Sequence, residues 1–151
     1  MKITKHASVV LAALLGLSSA WAQQASPAGL WKTIDDATQK EKSLVRISES
    51  GGVFSGRIEE LLDPETPKDK TCEKCTDDRK DKPLVGLVII RDVKKNEEDA
   101  TRWDGGTILD PANGRTYKVR LMLTDEGKQL RVRGYIGAPL LGRTQVWKRV
   151  E

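Results

Sequence analysis

The sequence is poor in the side chains that carry out nucleophilic and metal chemistry near neutral pH. Its 151 residues include one histidine and two cysteines. The histidine is His6, within a stretch that we expect to be removed from the mature chain. Without it, a Ser-His-Asp triad, a Cys-His dyad and a histidine-bearing zinc site are excluded. An enzyme built from the remaining residues would have to use carboxylates, lysine, tyrosine or the two thiols.

The sequence also lacks an apolar run long enough to span a bilayer, which takes about 20 residues. Residues 9–17 form a shorter apolar run, which follows Lys2 and Lys5 and precedes Ala20-Trp21-Ala22. This order is typical of a secretory signal peptide, cleaved here after Ala22. We therefore predict a signal peptide over residues 1–22 and a single domain over residues 23–151, periplasmic or secreted, with no transmembrane segment after cleavage. Loss of the two lysines would lower the formal net charge from +4 to +2.

The two cysteines, Cys72 and Cys75, lie in the most charged segment of the chain. Export would place them in an oxidising compartment, where thiols usually pair. The favoured interpretation is a structural disulfide that closes a small ring in a long polar loop. A redox-active pair is an alternative, but such pairs normally lie at a helix N-terminus, and no apolar helix follows this one. A metal half-site is a third alternative, for which the chain offers no second Cys-x-x-Cys.

The rest of the chain alternates short apolar segments with turns, and no stretch has convincing helical periodicity. Ser50-Gly51-Gly52 and the segment Asp110–Gly114 have the composition of tight turns. Short connections favour antiparallel pairing of sequential strands, and eight such strands can close into a barrel without exposed edges. The predicted fold is therefore all-β, an eight-stranded antiparallel up-and-down barrel. The predicted strands are residues 29–35, 43–48, 53–62, 84–93, 101–110, 115–124, 129–137 and 143–150.

Several motifs resemble those of known families. Gly29-x-Trp31 resembles the Gly-x-Trp of lipocalin barrels, in which the tryptophan packs beneath an Arg or Lys of the last strand. That resemblance implies that Trp31 closes the barrel with Arg143 or Arg149. A longer set of motifs resembles the bacterial exported family called domain of unknown function 2147 (DUF2147), which implies a small lipocalin- or calycin-like barrel and no assigned activity. This set comprises Gly29-x-Trp31, Gly56-x-Ile58, Cys72-x-x-Cys75, Pro83-x-x-Gly86, Trp103-x-x-Gly106-x-Ile108-x-Asp110-Pro111-x-Asn113-Gly114-x-x-Tyr117, Arg133-Gly134-Tyr135 and Gly142-Arg143-Thr144-Gln145-x-Trp147-x-Arg149.

The interior of such a barrel is either filled by side chains or holds one small apolar ligand. Both interpretations are open from the sequence. Gly56, Gly86, Gly106 and Gly134 would leave volume near the wall, although glycines equally mark bends. The predicted ligand-lining residues follow from the alternation within the strands. They are Val45, Ile47, Phe54, Ile58, Val88, Ile90, Tyr117, Val119, Leu121, Val132 and Ile136.

Basic residues concentrate in the last third of the chain. Residues 112–151 carry nine basic and three acidic side chains, whereas residues 23–111 carry 15 and 19. A predicted basic outer face would dock an anionic envelope component, unless acidic side chains from the loops pair with it. Export and the few aromatic residues argue against nucleic acid as a partner. The predicted face consists of Lys118, Arg120, Arg131, Arg133 and Arg143.

The favoured hypothesis is a non-enzymatic exported barrel that binds a small hydrophobic or amphipathic ligand. An envelope interaction module that uses the basic face and a Cys-x-x-Cys thiol-disulfide oxidoreductase are the alternatives. Carboxylates at Glu59, Glu60, Asp104 and Asp110 could form a glycosidase-type pair, but the two aspartates are better explained by a turn and a bend. We predict no catalytic residue, no metal site and no cofactor.

Overall fold

The structure is a computed structural model that describes residues 25–151. The predicted signal peptide, residues 1–22, lies outside the described residues. The regular elements of the described chain are eight strands and two short 3₁₀ helices, Asp125–Gly127 and Pro139–Leu141. None of the helices described in residues 25–151 has the length and apolar character needed to cross a membrane. The strands are β1 (Gly29–Ile34), β2 (Glu41–Ser50), β3 (Val53–Leu61), β4 (Val88–Lys95), β5 (Arg102–Asp110), β6 (Arg115–Thr124), β7 (Gln129–Tyr135) and β8 (Gly142–Arg149).

The strands form a closed barrel in which each pairs antiparallel with its neighbours in sequence. Pairing of Trp31 with Arg149 joins β1 to β8 and completes the closure. The predicted eight-stranded antiparallel up-and-down barrel is therefore confirmed. Closure follows from the alternation of apolar and polar residues, because one face of every strand must be removed from water while the other remains exposed.

The fourth strand begins later than the sequence predicts. Leu84 does not start β4 but belongs to residues 63–87, which we call the strap. The register of β3 and β4 shifts between Gly56 and Arg57, so β4 carries an extra residue there. A β-bulge of this kind breaks the strict alternation on which the sequence prediction relied. Ile89 and Ile90 are consequently both buried, whereas Val88 is only half-buried.

The strap contains an internal disulfide and is held to the barrel through Arg79 and Lys74. Cys72 and Cys75 form a disulfide with a Cα–Cα distance of 5.4 Å, as predicted, and both cysteines are buried. Arg79, exposed by 4 %, donates to the carbonyl oxygen of Val88 and to the hydroxyl of Thr116, 3.1 and 3.2 Å away. The strap also packs tightly against Gly114, where any Cβ atom would collide with the backbone of Lys74. These contacts hold the strap beside the β5–β6 turn.

The end of the barrel at Trp31 is closed by side chains. The guanidinium carbon of Arg149 lies 4.1 Å from the ring centroid of Trp31, a cation–π contact. Arg149 also donates to the carbonyl oxygens of Gly127, Ala28 and Ser26 at 2.6, 2.9 and 2.8 Å. Gly29 has a positive φ of 138°, and a Cβ there would lie 2.5 Å from Arg149, which explains the glycine of the Gly-x-Trp motif.

Candidate ligand-binding cavity

The half of the barrel next to Trp31 is solid. Among the predicted ligand-lining residues, Val45, Ile47, Ile90, Val119 and Leu121 are exposed by 1 % or less. Phe54 packs edge-to-face against Trp103 at a ring-centroid distance of 6.4 Å. These six predicted lining residues belong to one cluster of buried side chains, and the structure places none of them on the cavity described next. The filled-core interpretation therefore holds for this half.

The opposite half contains a cavity of about 680 Å³. Four of the predicted lining residues, Ile58, Tyr117, Val132 and Ile136, lie on its wall or rim. Val88 does not; its neighbour Ile89 takes that place because of the bulge in β4. Gly134 is the one of the four predicted space-making glycines that lines the cavity, since Ile90 fills the space beside Gly56. Gly106 meets the backbone of β4 instead, and Gly86 lies in the strap.

One wall of the cavity is polar. Thr33 of β1, Ser43 of β2 and Gln145 of β8 line it, and these three strands are neighbours in the barrel. Each of the three lies two residues from a buried apolar residue on its own strand, namely Trp31, Val45 and Trp147. We call Thr33, Ser43 and Gln145 the polar stripe. The alternation of apolar residues does not reveal the polar stripe, because its three inward positions are polar.

The polar stripe keeps a hydrogen-bond donor available for a bound molecule. The Thr33 hydroxyl oxygen accepts from the backbone N–H of Ser43 at 3.1 Å and lies 2.9 Å from the Ser43 hydroxyl oxygen. Whichever hydroxyl donates to the other, one O–H hydrogen of the pair is left for a third group. Gln145 accepts from the Trp147 indole N–H at 2.9 Å, and a hydrogen bond from its side chain also helps to lower the pKa of Asp36, so the Thr33–Ser43 pair supplies the available donor.

The opposite wall is mostly apolar. Ile58, Ile108 and Val132 contribute aliphatic surface, and Gly134 contributes open space between β6 and β8. Tyr117 adds a ring whose hydroxyl oxygen accepts from the Asn113 side-chain amide at 3.0 Å. Its own hydroxyl hydrogen is therefore available as a further donor. The cavity thus combines one hydrogen-bonding side with one apolar side.

Ion pairs surround the mouth of the cavity. Arg143, which lines the cavity, pairs through its guanidinium with the carboxylate of Asp36. The hydrogen bond from Arg143 lowers the pKa of Asp36 below its ordinary value, and the same contact raises the pKa of Arg143. Lys42 donates to Asp63 at 2.9 Å and lowers the pKa of that carboxyl to about 2. Of the two residues that the resemblance offered as covers for Trp31, Arg149 at the end of β8 lies over the ring, whereas Arg143 near the start of β8 lies on the cavity.

The predicted basic face divides into residues with different roles. Arg120 lies opposite Arg133 in the β6–β7 ladder, and Met122 lies opposite Arg131. Arg133 holds the β7–β8 loop, whereas Arg143 pairs with Asp36. Within residues 25–151, no carboxylate lies within 4.0 Å of the basic groups of Lys118, Arg120, Arg131 and Arg133.

The described residues give little support to thiol-disulfide exchange, metal binding or glycosidase-type catalysis. Cys72 and Cys75 are exposed by 0 and 1 %, so a thiolate has no open approach to either sulfur. Among residues 25–151, no three potential metal-ligating side chains come together. Asp110 accepts from the backbone N–H of Ala112 and the amide of Asn113 in its turn. Asp104 and Glu59 contact Arg102 and Arg46, respectively, so the four candidate carboxylates are not assembled around one site.

The comparisons with known proteins agree with this architecture. The profile of a family described as uncharacterized protein conserved in bacteria (DUF2147) matches residues 29–149. The chain belongs to this family. The match includes both closing residues, Trp31 and Arg149, and the whole polar stripe. No curated protein matches the sequence significantly.

A solved structure supports the same fold. The chain is similar to HP1028 from the human pathogen Helicobacter pylori, a protein described as belonging to the lipocalin family. The TM-score is 0.70 at 23 % sequence identity, and the alignment covers 82 % of each chain. At this identity the likeness shows the lipocalin-like fold alone. The resemblance that the sequence motifs suggested is confirmed at the level of family and fold.

Proposed function

We propose that this DUF2147 protein binds a small amphipathic molecule in the cavity at the open end of its barrel. The observation that carries the proposal is the cavity itself, with one polar and one apolar wall. Its volume of about 680 Å³ falls within the range of about 300–1,000 Å³ typical of small-molecule sites. We propose binding rather than catalysis, because Asp35 and Asp110, two carboxylates on the cavity, accept hydrogen bonds within their own turns.

The donors of the polar stripe define the chemistry of the ligand. Thr33 and Ser43 are exposed by 6 and 8 %, so their spare O–H hydrogen has little access to bulk water. A buried donor without a partner costs about 1–3 kcal/mol, which a ligand acceptor would recover. A charged acceptor would lose its own hydration beside these two buried hydroxyls. We therefore propose a ligand with an uncharged carbonyl or ether oxygen toward the stripe and a hydrocarbon body against Ile58, Ile108 and Val132.

Binding by two probes of equal carbon count tests this function. Methyl decanoate has an ester carbonyl, and undecane has no polar atom. Trp147 lines the cavity, so its fluorescence should report either probe. We expect the ester to bind about five- to tenfold more tightly, the gain expected from about one buried hydrogen bond. If neither probe saturates, the function is wrong.

The variant Thr33→Val/Ser43→Ala removes both hydroxyls of the stripe. We expect it to abolish the preference for the ester while leaving undecane binding within about twofold. The ratio of the two affinities within each protein cancels any general loss of stability. A preference that survives in this variant would contradict the assignment of the stripe. Gly134→Leu serves as a second variant, because its side chain would enter the cavity and should abolish binding of both probes.

The compartment is a separate proposal. We propose that the protein works in the periplasm, since its N-terminal residues have the order of a signal peptide and its disulfide is of a kind that persists in oxidising compartments. Mass spectrometry of the protein from a periplasmic extract should find a chain that starts at Gln23. A full-length chain recovered from the cytoplasm with free thiols would contradict this location.

A further inference from the structure

The β7–β8 loop, residues 136–141, carries the most exposed large apolar side chains of the described protein. Leu140, Leu141 and Ile136 are exposed by 87, 76 and 62 %. Isolated apolar side chains on a surface are normal, but three within six residues form a patch. We call these three residues the apolar tip. Ile136 and Leu141 also line the rim of the cavity, so the tip stands at its mouth.

The loop holds the tip in a fixed conformation. The Arg133 guanidinium donates to the carbonyl oxygens of Pro139 and Leu140 at 2.5 and 3.1 Å, and to the Thr144 hydroxyl at 2.7 Å. The loop also forms a 3₁₀ turn that starts at Pro139. Two of these three Arg133 hydrogen bonds thus fix the backbone of a loop whose leucines face solvent. Such fixation lowers the conformational entropy that a partner would have to remove on binding.

The strands beside the tip are basic throughout. β6, β7 and β8 together contain eight lysines and arginines and no aspartate or glutamate. Lys118, opposite Tyr135 near the top of β7, is exposed, and Arg131 and Lys148 continue the basic surface downward. Acidic groups do occur at the mouth, but Asp36 is paired with Arg143, and Asp110 is engaged in its turn. The tip therefore stands at the end of a cationic surface.

We infer that the apolar tip inserts into a lipid surface with anionic headgroups and that the basic strands contact those headgroups. Apolar side chains flanked by lysine and arginine are the combination that binds the interface of an anionic membrane. Docked in this way, the cavity mouth would face the bilayer, from which an amphipathic ligand could enter. The inference concerns the rim of the cavity and the outer face of the strands, and it does not depend on which molecule the cavity binds.

Co-sedimentation with vesicles tests the tip. The protein, purified from periplasmic extract, is mixed with vesicles of phosphatidylcholine alone or with added phosphatidylglycerol. We expect binding to the anionic vesicles, weakened at least about tenfold by Leu140→Ser/Leu141→Ser. The matched control is Val85→Ser/Val150→Ser, which removes two exposed valines elsewhere and should bind like the parent. All variants share the same N-terminus, so any contribution from residues outside 25–151 cancels.

A charge reversal tests the basic strands. Lys118→Glu/Arg131→Glu should remove the preference for phosphatidylglycerol, whereas Lys94→Glu/Lys95→Glu, with the same change in net charge on β4, should keep it. Equal loss in both would mean that only net charge matters and would overturn the assigned surface. A parent protein that stays unbound, or a tip variant that binds as well as the parent, would overturn the inference.

Self-association is the competing outcome. Sedimentation velocity without lipid should give a monomer. A dimer that dissociates in the Leu140→Ser/Leu141→Ser variant would assign the tip to a second copy of the chain and overturn the lipid inference. Binding of methyl decanoate to the single variant Leu140→Ser separates the two proposals, because Leu140 does not line the cavity and its loss should weaken vesicle binding while leaving ester binding intact.

Discussion

The two ends of the barrel are built on the same eight strands and yet are filled differently. At the closed end, Trp31 and Val45 are fully buried and Arg149 seals the floor with hydrogen bonds to three carbonyl oxygens. One step further along the same strands, Thr33 and Ser43 take the inward positions. The backbone ladders also differ, because β1 pairs with β8 only at Trp31 and Lys32, and β4 begins opposite Arg57 although β3 continues to Leu61.

Side-chain volume and polarity add to this difference in strand pairing. Threonine and serine are too short to reach across the barrel, and their hydroxyls favour a partner over an apolar neighbour. The Thr33–Ser43 contact at 2.9 Å satisfies part of this need and leaves one O–H hydrogen for a third group. The closed end therefore stabilises the fold, whereas the open end keeps space and hydrogen-bonding capacity for a ligand.

The largest expected effect is on the closed end. Trp31→Ala would remove the most deeply buried large side chain and leave Arg149 without its aromatic partner. We expect the free energy of unfolding to fall by about 3–5 kcal/mol. Urea unfolding measures the change. A loss below about 1 kcal/mol would show that the closed end does not carry the stability of the barrel.

A matched pair of isoleucines sharpens the comparison. Ile47 lies in the solid half and Ile58 on the cavity, and the two are exposed by 1 and 4 %. Ile47→Ala should cost about 2–5 kcal/mol, and Ile58→Ala at least about 1 kcal/mol less, because its side chain already borders empty space. Equal losses in urea unfolding would indicate that the open half is as tightly packed as the closed half.

The disulfide should stabilise the open end alone. Cys72→Ala/Cys75→Ala opens a four-residue ring. The loop-entropy relation gives a stabilisation of about 2 kcal/mol for such a ring, which the variant would lose. Amide hydrogen exchange should show faster exchange in the strap and unchanged protection in β1, β2 and β8. Faster exchange across the whole barrel would mean that the strap belongs to the same cooperative unit as the closed end.

The smallest expected effect is the loss of stability at low pH that follows from protonation of Asp77. Hydrogen bonds from the Arg79 side chain lower the pKa of Asp77 to about 2, from an ordinary value of 3.8. A lowered pKa stabilises the fold above about pH 4, and that contribution is lost as the pH falls toward about 2. Asp77 is partly exposed, so we expect less than about 1 kcal/mol. Asp77→Asn should reduce the pH dependence of strap exchange between these values, and an unchanged profile would exclude this pair as its cause.

The sequence predicted the fold well because closure depends on repeated local signals. Alternation in β6 and β7, the Gly51-Gly52 turn and the Gly-x-Trp motif each point to the same barrel, and all are present in the structure. The predicted start of β4 was wrong because a β-bulge and the long strap interrupt the two-residue alternation of apolar and polar side chains. Such an interruption depends on contacts between distant segments, including that of Arg79 with Thr116.

The cavity was harder to predict than the fold. Alternation places Val45 and Ile58 on the inner face alike, and the two are partners in the β2–β3 ladder, yet only Ile58 borders the cavity. The same pattern cannot choose between Arg143 and Arg149 as the cover of Trp31, because both lie on the inner face of β8. The signal in the sequence that would predict the polar wall of the cavity is a polar residue two positions from a buried apolar residue. This spacing occurs for Thr33 after Trp31, Ser43 before Val45 and Gln145 before Trp147.

Intermolecular NOEs between bound methyl decanoate and the methyl groups of the protein test the central claim most directly. We predict NOEs from the hydrocarbon chain to Ile58, Ile108 and Val132 in the open half. We predict none to Val45, Ile47 and Val119 in the solid half. NOEs confined to the apolar tip, NOEs to the solid half, or no NOEs at saturating ester would contradict a ligand cavity at the open end.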